Sequence, residues 1–222
     1  MFDRVAARYD LLNSLMSAGL HHRWRERAAE IAAPEPGAAV LDVCCGTGDL
    51  TLELARRVVP GGHVVGCDFS EPMLDLARAK TEARGAEGVR FEWADALSLP
   101  YDAGRFDIVA VGFGVRNFAD RDRGLRELTR VLRPGGKLVV LEFTKPRRPP
   151  FSTFYSLWFD RLAPILGRLS DDPEAYAYLT ESLNTFPDPH GLAEKMDLAG
   201  LDRIRYTVLA GGIVTIHSGL AG

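Results

Sequence analysis

The chain has 222 residues, 46% of them hydrophobic and 26% charged, with a formal net charge of −3. That is apolar material for one α/β domain with a small insertion, and too little positive charge for a generally basic nucleic-acid surface, a local patch aside. No run of about 18 apolar residues is present to span a membrane, and the three cysteines Cys44, Cys45 and Cys67 provide neither a secreted disulfide framework nor zinc-site spacing, which suits a reducing cytoplasm.

Met1-Phe2-Asp3-Arg4 lacks a signal-peptide pattern, and helical patterning starts almost at once, leaving room for a short leading segment. Residues 3 to 33 read as helical, with Trp24, Ala28 and Ile31 on one apolar face, and Pro34-Glu35-Pro36-Gly37 ends that region. The period then changes. Val40 to Val43 is a short apolar strand, followed by a glycine turn and a helix from about Asp49 to Val59. His63 to Asp68 is a strand, Pro72 to Arg84 a helix, Val89 to Trp93 a strand, Phe106 to Val111 a strand and Arg121 to Leu132 a helix. Pro134-Gly135-Gly136 turns the chain into the strand Lys137 to Phe143 and is expected to join Asp42, Gly46, Gly48, Asp68 and Asp95 in one ordered cofactor set. Repeated β-α-β units imply a mostly parallel sheet with helices on both faces. Two helical stretches, 151–168 and 172–185, break the rhythm, and a helix near 189–199 precedes late strands near 203–209 and 212–218, seven strands in all. The chain divides into an N-terminal helical segment (1–36), a core (37–145 and 186–222) and a helical cap (146–185) over the carboxyl edge of the sheet, where open α/β sheets bind ligands.

That edge carries a cofactor-like set. Gly46 and Gly48 let the backbone approach a ligand, and the helix behind them offers unpaired N–H groups. Asp42 at the strand end is placed for a ligand ammonium. Asp68 ends the second strand 22 residues after Gly46, near the spacing of a ribose-binding acid, and Asp95 follows the third strand, placed for an adenine amino group. Helix capping or turn formation is the structural alternative for Asp68 and Asp95; small buried packing is the preferred account of Cys44 and Cys45. A nicotinamide dinucleotide is disfavoured, because Asp49, Leu50 and Thr51 follow Gly46-Thr47-Gly48 where a third glycine would stand. A binding module without chemistry of its own is the other rival.

Together these features resemble the class I, Rossmann-like methyltransferases, and the flanking segments narrow the match. Tyr9-Asp10-Leu11-Leu12-Asn13 through Ser17, Gly19, His21 and Trp24 resembles the first signature of the UbiE/MenG quinone-biosynthesis C-methyltransferases. Phe113-Gly114-Val115-Arg116-Asn117 resembles their F-G-[LV]-R-N segment, Arg130 to Gly136 with Leu141 to Pro146 their second signature, and Tyr178-Leu179-Thr180-Glu181-Ser182 a further family stretch. The resemblance covers essentially the whole chain. It implies S-adenosyl-L-methionine as cofactor, S-adenosyl-L-homocysteine as product, no metal, and cofactor contacts at Thr47, Asp68, Asp95 and Ala96; Phe69, Met73, Asp42, Gly46, Gly48 and Gly112 complete the expected set. Gly112 stands where some members carry a cofactor-contacting Ser, and Cys44 where many carry Gly.

The implied reaction is C-methylation of a polyprenyl hydroquinol ring, demethylmenaquinol to menaquinol ahead of the ubiquinone-pathway benzoquinol, with another hydrophobic acceptor such as a sterol or phenol as the alternative. Arg116 is expected to bind the phenolate unless it pairs with Asp120 or Asp122, Asn117 to orient a hydroxyl or water, and His21 to serve as base unless it is held in a structural hydrogen bond. Tyr9 and Tyr178 are candidates for the ring pocket. Phe151, Phe154, Tyr155, Trp158, Phe159 and Leu162 form one apolar helix face, for packing or for a prenyl tail or membrane surface; Lys145, Arg147 and Arg148 beside it suit anionic lipid. The expected setting is cytoplasmic, with peripheral contact at the inner face of the cell membrane and homo-oligomerisation as options.

Overall fold

A computed structural model describes residues 17, 19–146, 149 and 181–222. Tyr9, Tyr178, the aromatic face from Phe151 to Leu162, Arg147 and Arg148, and most of the expected cap lie outside them. So do residues 3 to 16 of the helical stretch expected over 3 to 33, whose described helix is α1 (Leu20–Ala32), with Gly19 as its N-cap.

Seven strands form one sheet: β1 (Ala39–Val43), β2 (His63–Asp68), β3 (Val89–Trp93), β4 (Phe106–Gly112), β5 (Leu132–Phe143), β6 (Leu201–Leu209) and β7 (Val214–Ala221). Their order is β3-β2-β1-β4-β5-β7-β6, parallel except for β7, which runs antiparallel to both neighbours. The mostly parallel sheet expected from the β-α rhythm is what forms. Among the described residues the helices that pack against the sheet are α1, α2 (Asp49–Val58), α3 (Glu71–Ala83), α4 (Arg121–Arg130) and α5 (Pro189–Leu198).

The central strands read as continuous apolar runs because both faces are covered. Successive side chains alternate between two cores. Val40, Val64, Ile108 and Ala110 pack with Trp24 and Ala28 of α1 and Leu54 and Val58 of α2. Leu41, Val65, Val109 and Val111 pack with Leu125 and Leu128 of α4 and Leu192 and Met196 of α5. A one-residue slip in any central strand would exchange these two faces.

Two boundaries differ from the sequence expectation. Helix α4 stops at Arg130, two residues early, because Leu132 is drawn into the sheet opposite Phe106. The pairing then jumps, so that Ile108 faces Lys137, and Pro134-Gly135-Gly136 becomes an irregularity within the span of β5. Pro134 has no N–H to give the ladder. This segment precedes the paired stretch of a strand parallel to β4, and so lies at the amino edge of the sheet. It is a structural device there and leaves the cofactor set proposed for the carboxyl edge.

Candidate active site

After β3 the chain returns to the other side of β1 to form β4, so the strand order reverses between β1 and β4. A crevice opens at such a switch point, beyond the carboxyl ends of the strands. Here it is a cavity of about 410 Å³, within the size range of small-molecule sites. Four segments wall it: Val43, Cys44 and Gly46 at the end of β1 and beyond; Asp68, Phe69 and Met73 at the end of β2 and beyond; Trp93 to Leu97 from the end of β3; and Gly112 to Gly114 with Asn117 to Ala119 from the end of β4.

The expected cofactor residues Gly46, Asp68, Phe69, Met73, Asp95, Ala96 and Gly112 meet on this wall. Asp68 is nearly buried. Its Oδ2 accepts the Gly46 N–H at 2.9 Å and its Oδ1 the Ser70 N–H at 3.0 Å, so one carboxylate ties the β1 turn to the β2 exit. The N-cap of α3 is Ser70, not Asp68. Asp95 is exposed on the rim, where its Oδ1 accepts the Leu97 N–H at 2.9 Å in a turn.

Three members of the set sit behind the wall. Thr47 is buried, and its Oγ1 accepts from Lys80 Nζ at 3.0 Å. Gly48 caps α2 at φ +80, where a Cβ would meet the Phe91 ring at 3.0 Å. Asp42 does not reach the cavity wall. It is fully buried, takes the Thr51 hydroxyl at 2.6 Å on Oδ2, and has no hydrogen-bond partner on Oδ1. Burial pushes its pKa up to about 7, with Asp68 adding to the rise and Thr51 and Arg25 opposing it. The folded chain therefore holds a proton that the unfolded chain releases near 3.8. This contribution to stability is present below the lower value and lost as pH rises through the upper one. Replacing Asp42 by Asn is expected to flatten the fall in Tm of the ligand-free chain between about pH 4 and about pH 7. A Tm–pH curve parallel to that of the parent would show Asp42 to be ionised throughout.

The turn holds Cys44 at φ +56, a left-handed conformation that favours glycine. This accounts for the glycine that many class I enzymes carry there. Gly114 packs directly against it, since a Cβ on Gly114 would lie 2.6 Å from Cys44 Cβ. Burial pushes the thiols of Cys44, Cys45 and Cys67 well up, which keeps them neutral and poor nucleophiles. Packing is their role in the described structure, although Cys44 also borders the cavity.

Arg116 and Asn117 form a short 3₁₀ turn, Val115–Asn117. Asn117 lines the cavity and Arg116 does not. The guanidinium of Arg116 turns instead to Glu142, with Nη1 2.6 Å from Oε1 and side chains 9% and 0% exposed. Neither expected partner is used: Asp120 caps α4 through the Arg123 N–H, and Asp122 pairs with Lys195. His21 is buried away from the cavity wall with its Nδ1 hydrogen-bonded to Arg25, the structural alternative to base work. Arg25 continues to Asp49 at 3.5 Å, and Lys80 meets Asp49 at 2.7 Å. Burial alone would raise the Asp49 pKa, but Arg25 and Lys80 outweigh it and hold it below the usual range. His21, His22 and Asp49 bring donor atoms within 4.8 Å of one another, yet two cations already face that carboxylate, which opposes a metal ion.

Trp93, Leu97 and Phe118 also line the wall with no sequence expectation behind them, and Phe113, expected only as part of its signature segment, joins them. Trp93 was legible, as it closes β3 two residues before Asp95. It is 59% exposed, beside Phe69 at 54%, and its Nε1 donates to the Phe69 carbonyl at 2.8 Å. Phe113 has φ +60, a strained conformation for a bulky residue, costing roughly 1–3 kcal/mol. Phe143 stacks on it at 4.5 Å and Trp24 meets both rings edge-on. Such strain is held only where its surroundings over-determine it.

Comparison with known proteins agrees with this geometry. The sequence model of the ubiE/COQ5 methyltransferase family matches residues 1–221. A demethylmenaquinone methyltransferase of Thermus thermophilus is 50% identical over 220 residues, covering 99% of each chain. A ubiquinone/menaquinone biosynthesis C-methyltransferase UbiE of Hahella chejuensis is 42% identical over 222 residues, 99% of this chain and 89% of that one. Among solved structures, a SAM-dependent methyltransferase from Aquifex aeolicus superposes with a TM-score of 0.66 at 19% identity, covering 89% of each chain; it shares the Rossmann-like methyltransferase fold. With sequence, sheet order and switch-point cavity in accord, the chain belongs to the ubiE/COQ5 methyltransferase family.

Proposed function

We propose that this chain methylates a ring carbon of a polyprenyl hydroquinol, demethylmenaquinol in particular, with S-adenosyl-L-methionine as methyl donor. The observation that carries the proposal is the switch-point cavity, with carboxylates at two strand exits and Asn117 on the facing wall. The name and identity of the Thermus relative support the acceptor. The cofactor fits the residues present: Asp68 stands where ribose hydroxyls would be accepted, Asp95 at the rim suits an adenine amino group, and Phe69 and Trp93 offer exposed faces to a base.

When bound, the cofactor supplies a methyl group on a positively charged sulfur. The chain's own residues hold the acceptor carbon in line and keep water out, which is where most of the rate advantage of such a transfer lies. Asn117 hydrogen-bonds the acceptor hydroxyl. Arg116, one residue back, is turned from the cavity and paired with Glu142, so its part is to hold the turn that carries Asn117. Among the described residues no helix is long and apolar enough to cross a membrane.

Labelled S-adenosyl-L-methionine incubated with demethylmenaquinol is expected to yield labelled menaquinol. The demethyl precursor of ubiquinol, run in parallel, tests the second acceptor class suggested by the dual name of the Hahella relative. No transfer to either quinol, with cofactor binding intact by calorimetry, would overturn the quinol assignment in favour of another hydrophobic acceptor.

A further inference from the structure

Glu142 lies near the end of β5, outside the cavity wall, and its side chain is 0% exposed. Three donors converge on its carboxylate. The Arg116 guanidinium reaches Oε1 at 2.6 Å, the Arg116 main-chain N–H reaches Oε2 at 3.2 Å, and the Phe143 N–H reaches Oε1 at 2.8 Å. Two of the three come from one residue, one from its side chain and one from its backbone. The carboxylate therefore grips the Val115–Asn117 turn at its centre.

The rest of the turn is held from the opposite end. Arg116 Nη1 also donates to the Phe113 carbonyl at 2.7 Å, the Asn117 N–H closes on the Gly114 carbonyl at 3.0 Å, and Asn117 Nδ2 approaches the Phe113 carbonyl at 3.4 Å. Asn117 is the polar side chain that this turn presents to the cavity. A buried ion pair offers little net stability over apolar residues of similar volume, because desolvation offsets the attraction. Its position immediately behind a cavity-lining turn calls for another account, and the shared grip on backbone and side chain supplies one.

We propose that Glu142 is a positioning residue for methyl transfer: by holding Arg116 through both its guanidinium and its main-chain N–H, it fixes where Asn117 meets the acceptor. This rests on the reading of the chain as a quinol methyltransferase.

Glu142→Gln keeps the shape and loses the charge. Small displacements of a positioning group cost on the order of a hundredfold in rate. The variant is expected to lose at least about tenfold in kcat while its Kd for S-adenosyl-L-methionine stays within about twofold of the parent. Asn117→Ala lowers kcat by itself, and adding Glu142→Gln to it should lower kcat by no more than about twofold further. Independent, multiplying losses would overturn the proposal, as would an unchanged kcat in Glu142→Gln. If that variant does not accumulate as folded protein, Glu142→Asp, which keeps the charge and withdraws it by one methylene, takes its place with the same expected outcomes. Amide hydrogen exchange in the ligand-free chain needs no turnover: the Arg116 amide should exchange at least about tenfold faster in the variant while Leu138 to Leu141 keep their protection. Unaltered exchange at Arg116 sinks the proposal. A parent chain that transfers no methyl group sinks the quinol reading instead, and exchange still decides whether Glu142 holds the turn.

Discussion

Replacing Asp68 by Ala is expected to abolish cofactor binding at the concentrations where the parent saturates. The carboxylate has a double task. It accepts the Gly46 N–H and the Ser70 N–H, joining the two loops that form one side of the cavity, and under the proposed cofactor pose it takes the ribose hydroxyls. Hydrogen bonds to a charged acceptor contribute about 1.5–3 kcal/mol each. Loss of two ligand bonds corresponds to at least roughly 100-fold weaker affinity, before any loosening of the Gly46 turn is counted. Calorimetric titration with S-adenosyl-L-methionine measures this directly. A dissociation constant within twofold of the parent would remove Asp68 from the cofactor site. Since Asp68 is tethered at one end of β2 and the core continues beneath it, Tm should fall by much less than affinity does.

Replacing Arg116 by Ala has the opposite signature. Cofactor affinity should be kept, because Arg116 is not on the cavity wall. Stability and turnover should both fall. Glu142 is left with no counter-charge at 0% exposure, and stranding one member of a buried pair costs about 3–5 kcal/mol. At roughly 2–4 °C per kcal/mol for a chain of this size, a loss in Tm on the order of 10 °C is expected. The two effects can be parted. Arg116→Met combined with Glu142→Leu removes both charges and should recover much of the Tm, yet turnover should remain depressed at least about tenfold, because the grip on the turn is gone. Full kcat in the double variant would leave the pair a structural feature only.

These two variants differ in how far each residue could be read from the chain. Asp68 was legible because everything that defines it is local. An apolar strand ends at it, a helix follows, and a glycine turn stands 22 residues earlier. The same holds for Gly46, Gly48 and Asp95, and for the strands β2 and β3, whose bounds match those expected. Gly112 and the Phe113–Asn117 segment came from family resemblance, which identifies residues without saying which way each side chain turns. Asn117 faces the cavity and Arg116 faces away, and a residue name carries no such information.

Where the sequence misled, a nonlocal contact had won. Pro134-Gly135-Gly136 looked like part of a ligand rim, but the pairing of Leu132 with Phe106 draws it into the amino end of β5. His21 is a different case: the structural hydrogen bond weighed against base work forms within its own helix, to Arg25 four residues on. Asp42 looked like a ligand contact at a strand end, but α2 packs Thr51 over it and leaves it under the turn.

By itself, then, the sequence determined the alternation of strands and helices, the glycine turn, the acids at the strand exits and the family. Each is written in residues close together along the chain, in periodicity, turn chemistry or signature. The tertiary structure alone decided that Glu142, 26 residues from Arg116, is its partner, that Cys44 and Gly114 touch, and that Asn117 rather than Arg116 meets the cavity. Those outcomes depend on the register of β5 against β4 and on which face of each strand is covered. Packing across the sheet sets both, and no local pattern encodes the residue on the other side.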